Sequence, residues 1–231
     1  MNVIITGATK GIGKATVQAF AQMGANIAFN ARNEDDLLEF KKALAEQYPN
    51  QEFHVLSTDM SKKAAVLKFA ESIKQVWKKV DVLINNAGVF LPGDITKEED
   101  GILESQIETN LYSAYYMTRA ILPLMESKGH IFNMCSIASF MAYPNGGSYS
   151  ISKFALLGFS KVLRAELLTN GIKVTSIMPG ATWSASWDGV DLPKERLMDA
   201  RDIADTITAA YKLGPSAVIE DIVIRPQLGD L

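Results

Sequence analysis

Val3-Ile4-Ile5-Thr6-Gly7-Ala8-Thr9-Lys10-Gly11-Ile12-Gly13 is the stretch that decides how this chain folds. Three apolar residues of strand character run into a segment with three glycines. Beyond them Ile12, Thr16, Ala19, Phe20 and Met23 repeat on one helical stripe that stops at Gly24. A strand feeding a glycine-rich turn and then a helix lets backbone N–H groups approach a ligand and presents the helix's positive end to a pyrophosphate. A dinucleotide site is the inference. The spacing is Gly-x3-Gly-x-Gly rather than the Gly-x-Gly-x-x-Gly fingerprint, so a plain strand-turn-helix stays open as the alternative.

Working outward, short apolar runs alternate with helical-period stretches along nearly the whole chain. Seven strands are predicted, near Val3-Ile5, Asn26-Asn30, Glu52-Ser57, Val80-Asn85, His130-Cys135, Lys173-Met178 and Val218-Arg225. Their continuous apolar character fits strands buried on both faces. The second helix is marked by Asn33 as N-cap, Asp35 and Asp36 in the first turn, and Leu37, Phe40, Leu44 and Tyr48 at helical spacing before Pro49. Ser61 is expected to open the next helix, and others are expected over Glu104-Leu122, Tyr149-Thr169 and Asp202-Lys212. The order is that of an α/β fold, a Rossmann-like, doubly wound, seven-stranded parallel sheet with helices on both faces. Only Gly180-Asp199, with two Trp residues and no period, lacks an element, and it is read as a substrate lid.

At 231 residues and 48% apolar composition the chain can bury a substantial core, and residues 1-231 are expected to form one domain. A net charge of −3 gives no basic footprint, so no nucleic acid is expected. The chain begins almost on its first strand, without a charged leader and apolar region, and has no bilayer-length apolar run. A soluble, cytoplasmic protein away from membranes is the expectation. Cys135 is the only cysteine and lies in an apolar strand, which points to packing. His54 and His130 stand far apart without partner ligands, so no metal site is predicted.

The second informative cluster is Tyr149-Ser150-Ile151-Ser152-Lys153, with Ser136 upstream. In a helix, residues four apart share a face, so the Lys153 ammonium would sit beside the phenol, favour its ionised form and lower its pKa toward the range where proton transfer is efficient. Of the seven tyrosines only Tyr149 has a lysine four residues on. Taken alone, the spacing is equally that of an amphipathic surface pair.

The glycine turn, Asn85-Asn86-Ala87-Gly88, Asn110, Ser136 and Tyr149-x-x-x-Lys153 occur in the order and spacing of one family, and from Val3 to the last strand the chain resembles the small, single-domain short-chain dehydrogenase/reductases. The resemblance implies that Tyr149 is the catalytic acid/base, that Ser136 hydrogen-bonds the substrate oxygen, and that Lys153 both tunes Tyr149 and binds the nicotinamide ribose. Asn110 would hold a water in a proton relay to Lys153. Ser139 is the reserve candidate for the serine role. Cofactor contacts are implied at Gly7, Thr9, Lys10, Gly11, Ile12 and Gly13 in the turn, and at Asn86, Ala87 and Gly88 after the fourth strand. Asp59 and Met60 would lie on the adenine side, helix capping by Asp59 being the rival reading. Pro179, Gly180 and Thr182 would line the nicotinamide pocket, although Thr182 and Ser184 depart from the family's usual residues there.

An NAD enzyme usually carries a carboxylate at the end of the second strand, which bonds the ribose and would repel a 2′-phosphate. Here Ala31 holds that place, Arg32 follows, and Lys10 lies in the turn, so NADP is favoured over NAD, with Glu34 as a possible complication. The implied reaction is reversible reduction of a ketone or aldehyde to an alcohol, on a small-molecule substrate, by a homodimer or homotetramer. A non-catalytic dinucleotide-binding regulator is the alternative, but it has no need for the full set Asn110, Ser136, Tyr149 and Lys153. Within enzymes, a 3-oxoacyl thioester reductase also remains. The ending Ile222-Val223-Ile224-Arg225-Pro226-Gln227-Leu228-Gly229-Asp230 resembles small carbonyl reductases and tilts the reading away from acyl carriers. Phe90-Leu91-Pro92, Phe140-Tyr143 and Trp183-Trp187 are read as pocket or packing.

Overall fold

Strand β1 (Asn2–Ile5) alternates its side chains between two buried layers, and the whole architecture follows from that. Val3 and Ile5 face one layer with Phe20, Phe29, Phe132 and Ile207, while Ile4 faces the other with Phe69, Leu83, Ile131 and Met117. A strand with apolar layers on both sides needs an apolar residue at every position, hence the unbroken run in the sequence. A computed structural model describes residues 1–183 and 193–230. Its sheet has seven strands, all parallel, in the order β3-β2-β1-β4-β5-β6-β7. The others are β2 (Asn26–Ala31), β3 (Phe53–Ser57), β4 (Val80–Asn85), β5 (Met125–Met134), β6 (Lys173–Pro179) and β7 (Asp221–Ile224).

Helices α1 (Gly11–Gln22), α2 (Glu34–Gln47) and α7 (Ala200–Tyr211) cover one face through Val17, Phe20, Leu37, Phe40, Ile203 and Ile207. On the other face lie α3 (Lys63–Val76), α5 (Ser113–Ile121) and α6 (Gly147–Leu167), packed through Val66, Phe69, Met117, Ile121 and Leu163. A short α4 (Ile102–Ile107) precedes α5. Chain direction across the sheet reverses between β1 and β4, and the crevice outside the carboxyl ends of strands at such a switch is where open α/β sheets bind ligands. No described helix is long and apolar enough to cross a membrane.

Four boundaries differ from expectation for physical reasons. The stretch expected as one helix over Glu104-Leu122 is α4, a π turn at Glu108–Tyr112 and α5, and the wide turn falls at Asn110. Ser61 does not cap α3; its N–H instead donates to Asp59 Oδ1 at 3.0 Å, and α3 begins after Lys62. β5 starts at Met125, with a register shift between the pairs Val80↔Met125 and Val82↔His130. β7 is shorter than expected, spanning Asp221–Ile224, and Pro226 follows it with no N–H to extend the ladder. Asn33 caps α2 as expected, accepting from Asp36 N–H at 2.9 Å. Of the stretch read as a lid, residues 184–192 lie outside the described residues, Ser184 and Trp187 among them. Its described ends are stitched together by Trp183 N–H to Met198 O at 2.9 Å and Met198 N–H to Ala181 O at 3.0 Å.

Candidate active site

At the end of β1 the chain turns through Gly7, whose φ of +66° suits glycine and whose N–H donates to Asn30 Oδ1 at 2.9 Å. The turn is locked onto β4 by two residues. Thr6 Oγ1 accepts from the N–H groups of Asn86 and Ala87, both at 3.0 Å, and Asn86 Nδ2 donates to Thr6 O at 2.9 Å and Gly7 O at 2.8 Å. Gly13 lies against this clamp: a Cβ there would overlap the Gly7 carbonyl oxygen and stand 2.6 Å from Asn86 Nδ2. Lys10 precedes α1 without a side-chain cap, so the first-turn N–H groups at Gly11, Ile12 and Gly13 point out of an uncapped helix end. Glycines that a Cβ would fill and a free helix N-terminus suit the pyrophosphate of a dinucleotide. Thr9 belongs to the same turn.

Beyond the turn, where the adenosine side is expected, the fit is more selective. Ala31 ends β2, and Arg32 after it is exposed. Lys10 does not stand free, because its Nζ lies 3.8 Å from Asp36 Oδ2 on α2. Asp59 accepts from Ser61 N–H in a local turn and does not cap α3, which Lys62 precedes without a side-chain cap; burial pushes its carboxyl up, but the Ser61 hydrogen bonds and the charges of Lys62 and Arg32 hold it below the usual carboxylate value. Met60 buries its side chain in the core beside Ile4 and Val66, which leaves only its backbone to meet a ligand.

The residues expected to handle the proton converge from the ends of β4 and β5, the π turn and α6. Lys153 is 5% exposed; its Nζ donates to Met134 O, the last carbonyl of β5, at 2.8 Å and lies 5.7 Å from the Tyr149 ring centre. A Cβ on Gly88 would stand 3.6 Å from that Nζ and 3.1 Å from Asn110 Oδ1, so Gly88 leaves the space between them clear. Asn110, in the π turn, accepts from Val89 N–H at 2.7 Å and donates to Val89 O at 3.0 Å and to Ser152 Oγ at 2.8 Å. Ser152 Oγ donates in turn to the Tyr149 carbonyl at 2.7 Å. Ser136 follows β5 and is braced by reciprocal capping: its Oγ accepts from Ala138 N–H at 3.2 Å, and Ser139 Oγ accepts from Ser136 N–H at 3.1 Å. Ser139 is thereby engaged and fully buried, which removes it as the reserve for Ser136.

One electrostatic expectation is corrected. Tyr149 is not made more acidic: burial pushes its phenol up, and of its neighbours the Ser136 hydroxyl pulls it down while Cys135 adds to the rise. Lys153 is lowered to about 8 by burial, and its hydrogen-bond partner Met134 O is a neutral carbonyl and not a carboxylate. Cys135 is buried packing, its thiol pushed up to about 11 by burial.

On the side expected to face the nicotinamide, Pro179 ends β6 and Gly180 N–H donates to Ile224 O at 2.8 Å. Thr182 is buried, and its Oγ1 turns back to Gly180 O at 3.0 Å. Phe90 places its ring edge-on to Tyr149 at 4.8 Å, while Phe140 and Tyr143 are exposed. Among the described residues no His, Cys, Asp or Glu cluster could hold a metal ion. Thr6, Asn30 and Ser152 were not singled out from sequence. The available signal was Asn30, a fully buried amide inside the apolar run of β2.

Residues 1–192 match the family model of the short chain dehydrogenase. A Staphylococcus haemolyticus protein described as an uncharacterized oxidoreductase is 31% identical over 225 residues, covering 96% of each chain, and one from Staphylococcus saprophyticus is 30% identical over 227 residues with the same coverage. Among solved structures, the alcohol dehydrogenase of the archaeon Thermococcus sibiricus, complexed with 5-hydroxy-NADP, superposes with a TM-score of 0.89 at 25% identity over 98% of this chain and 96% of that one. L-sorbose reductase from Gluconobacter frateurii, complexed with NADPH and L-sorbose, gives 0.88 at 25% identity over 97% and 95%. The matched residues span the glycine turn, β1 to β6 and α6, and the chain belongs to the short-chain dehydrogenase family of oxidoreductases.

Proposed function

We propose that residues 1–231 act as one dinucleotide-binding and catalytic unit that reversibly reduces a small ketone or aldehyde to its alcohol with NADPH. Bound at the glycine turn, the cofactor supplies the hydride. The observation that carries the reading is the convergence of Tyr149, Lys153 and Ser136: Lys153 Nζ lies 5.7 Å from the Tyr149 ring centre, and the Ser136 hydroxyl hydrogen-bonds the Tyr149 side chain. The phenol is protonated at neutral pH and would give its proton to a substrate oxygen that gains charge during reduction. Ser136, beside it at the end of β5, donates a hydrogen bond to the same oxygen. Lys153, lowered to about 8, still carries its charge at pH 7, favours the tyrosinate left after proton transfer, and binds the nicotinamide ribose.

Gly7, Thr9, Lys10, Gly11, Ile12 and Gly13 would hold the pyrophosphate side, with Asn86, Ala87 and Gly88 along the cofactor and Pro179, Gly180 and Thr182 at the nicotinamide. Asn110 braces Val89 and Ser152, and its π turn is the proposed place of the relay water. Asp59 and the Met60 backbone face the adenine. Choice of NADP rests on Ala31 in place of a carboxylate and on the exposed Arg32; Lys10 contributes only when it leaves Asp36. The NADP-type ligands in the alcohol dehydrogenase and the sorbose reductase support the same choice. A homodimer or homotetramer is part of the proposal, supported by Tyr112, Tyr115, Phe154 and Val162 exposed on the π turn and on α5 and α6.

The test is consumption of NADPH and of NADH with a panel of diketones, ketoses and aldehydes. Turnover with NADPH exceeding that with NADH on at least one class is the expected result, and no oxidation of either cofactor across the panel contradicts the reading.

A further inference from the structure

The loop between β4 and α4 is fastened to α6 by a carboxylate, Glu98, that meets the start of that helix. A turn closed by Lys97 N–H and Glu98 N–H on Asp94 O, at 2.8 and 2.9 Å, presents Glu98 toward that helix. Its Oε1 accepts from Ser148 N–H at 3.0 Å, and its Oε2 accepts from the Ser148 hydroxyl. Ser148 is buried and immediately precedes Tyr149. The approach needs glycine on the other side. Gly147 has φ of +34°, and a Cβ there would overlap both Glu98 Oε1 and the Gly93 carbonyl oxygen. Gly93 N–H donates to Asn145 O at 3.0 Å, tying the same loop to the segment leading into α6.

The loop therefore holds Tyr149 from three sides. Phe90 meets its ring edge-on, Val89 reaches its carbonyl through Asn110 and Ser152, and Glu98 grips the residue before it. A carboxylate accepting two donors in the first turn of a helix is well placed electrostatically, since orphan N–H groups and the helix dipole both favour negative charge there. We propose that Glu98 is a positioning residue for proton transfer: its grip on Ser148 sets the first turn of α6, and with it the aim of the Tyr149 hydroxyl and the seat of Phe90. The inference rests on Tyr149 being the proton donor. It adds that one carboxylate fastens both the loop after β4 and the turn that carries the donor.

The experiment compares Glu98→Ala, Glu98→Gln and Ser148→Ala with wild type and Tyr149→Phe. It measures kcat and KM with NADPH and the most reactive carbonyl of the panel, and NADPH Kd by calorimetry. Misaiming a donor by a fraction of an ångström to 1 Å costs turnover of up to about 100-fold, so Glu98→Ala is expected to lower kcat about 10- to 100-fold with NADPH Kd within about twofold of wild type. Glu98→Gln keeps an oxygen for Ser148 N–H and is expected to recover part of the loss, and Ser148→Ala, which removes only the hydroxyl, to lose less than Glu98→Ala. Wild-type kcat in Glu98→Ala, or equal worsening of kcat and NADPH Kd, overturns the inference. Should Glu98→Ala not fold, wild-type kcat in both Glu98→Gln and Ser148→Ala overturns it. Full turnover in Tyr149→Phe removes the donor reading and this inference together; an inactive Tyr149→Phe beside a fully active Glu98→Ala removes this inference alone.

Discussion

Replacing Gly13 with alanine tests whether the glycine turn is built for close approach or is merely a bend. The added Cβ would overlap the Gly7 carbonyl oxygen, stand 2.6 Å from Asn86 Nδ2 and 3.0 Å from Ala8 Cα. None of these is the free end of a flexible chain, so the turn must open. Overpacking of this kind costs about 1–3 kcal/mol. The Asn86 hydrogen bonds to Thr6 O and Gly7 O, which would be strained with it, contribute about 1 kcal/mol each. A loss of about 2–4 kcal/mol corresponds to a fall in Tm of about 5–15 °C for a chain of this length. Melting with and without NADPH separates folding from binding. Wild type at 100 times Kd gains about 2.7 kcal/mol from mass action, and Gly13→Ala is expected to lose most of that gain because its opened turn no longer presents the first-turn N–H groups. Gly158→Ala is the control: it lies mid-way along α6 with nothing near its would-be Cβ, and is expected to gain about 0.5–1 kcal/mol. A Gly13→Ala protein that melts with wild type and keeps the full NADPH shift refutes the reasoning.

Two further outcomes follow from groups outside the catalytic cluster. His130 stacks on Phe132 at 3.8 Å and is lowered to about 3 by burial and then by the Lys173 charge, so between pH 6.5 and 3 the unfolded chain binds the extra proton and stability falls as pH falls. From pH 7 to pH 5 this group alone removes about 2 kcal/mol, read as a smaller unfolding free energy in urea; His130→Gln should flatten that part of the profile, and an unchanged slope contradicts it. Asp36→Asn frees Lys10 from its exposed partner and is expected to raise the NADPH-to-NADH affinity ratio about two- to fivefold by calorimetry, an unchanged ratio showing that Lys10 does not reach the 2′-phosphate.

Legibility in the sequence followed how local the physics is. β1, β2, β4 and β6 are readable because burial on both faces leaves largely apolar runs, interrupted by Asn30, Asp81, Thr175 and Ser176, and α2 because Asn33, the acidic first turn and the apolar spacing lie within one short stretch. The resemblance placed Tyr149, Lys153, Gly88 and Asn110 in one list, and the structure brings them into one crevice. Contacts between residues far apart in the chain left no such trace. Thr6 holds Asn86 and Ala87 from about 80 residues away, and Glu98 reaches Ser148 from 50. No periodicity marks either residue. The sign of the Tyr149 shift is hidden for a related reason: helical spacing reports that Lys153 is near, but not that its ammonium donates to Met134 O or that burial dominates the phenol's surroundings. The π turn at Asn110 was equally hidden, because one additional residue per turn scarcely alters the apolar pattern.

The central claim is that Tyr149 delivers the proton, and single-turnover reduction of a reactive carbonyl by NADPH in Tyr149→Phe tests it most directly. A positioned acid contributes about 100- to 10,000-fold, so the variant is expected to slow by that factor while NADPH Kd stays within about twofold of wild type. Undiminished single-turnover reduction in the variant, with NADPH bound as tightly as by wild type, contradicts the account.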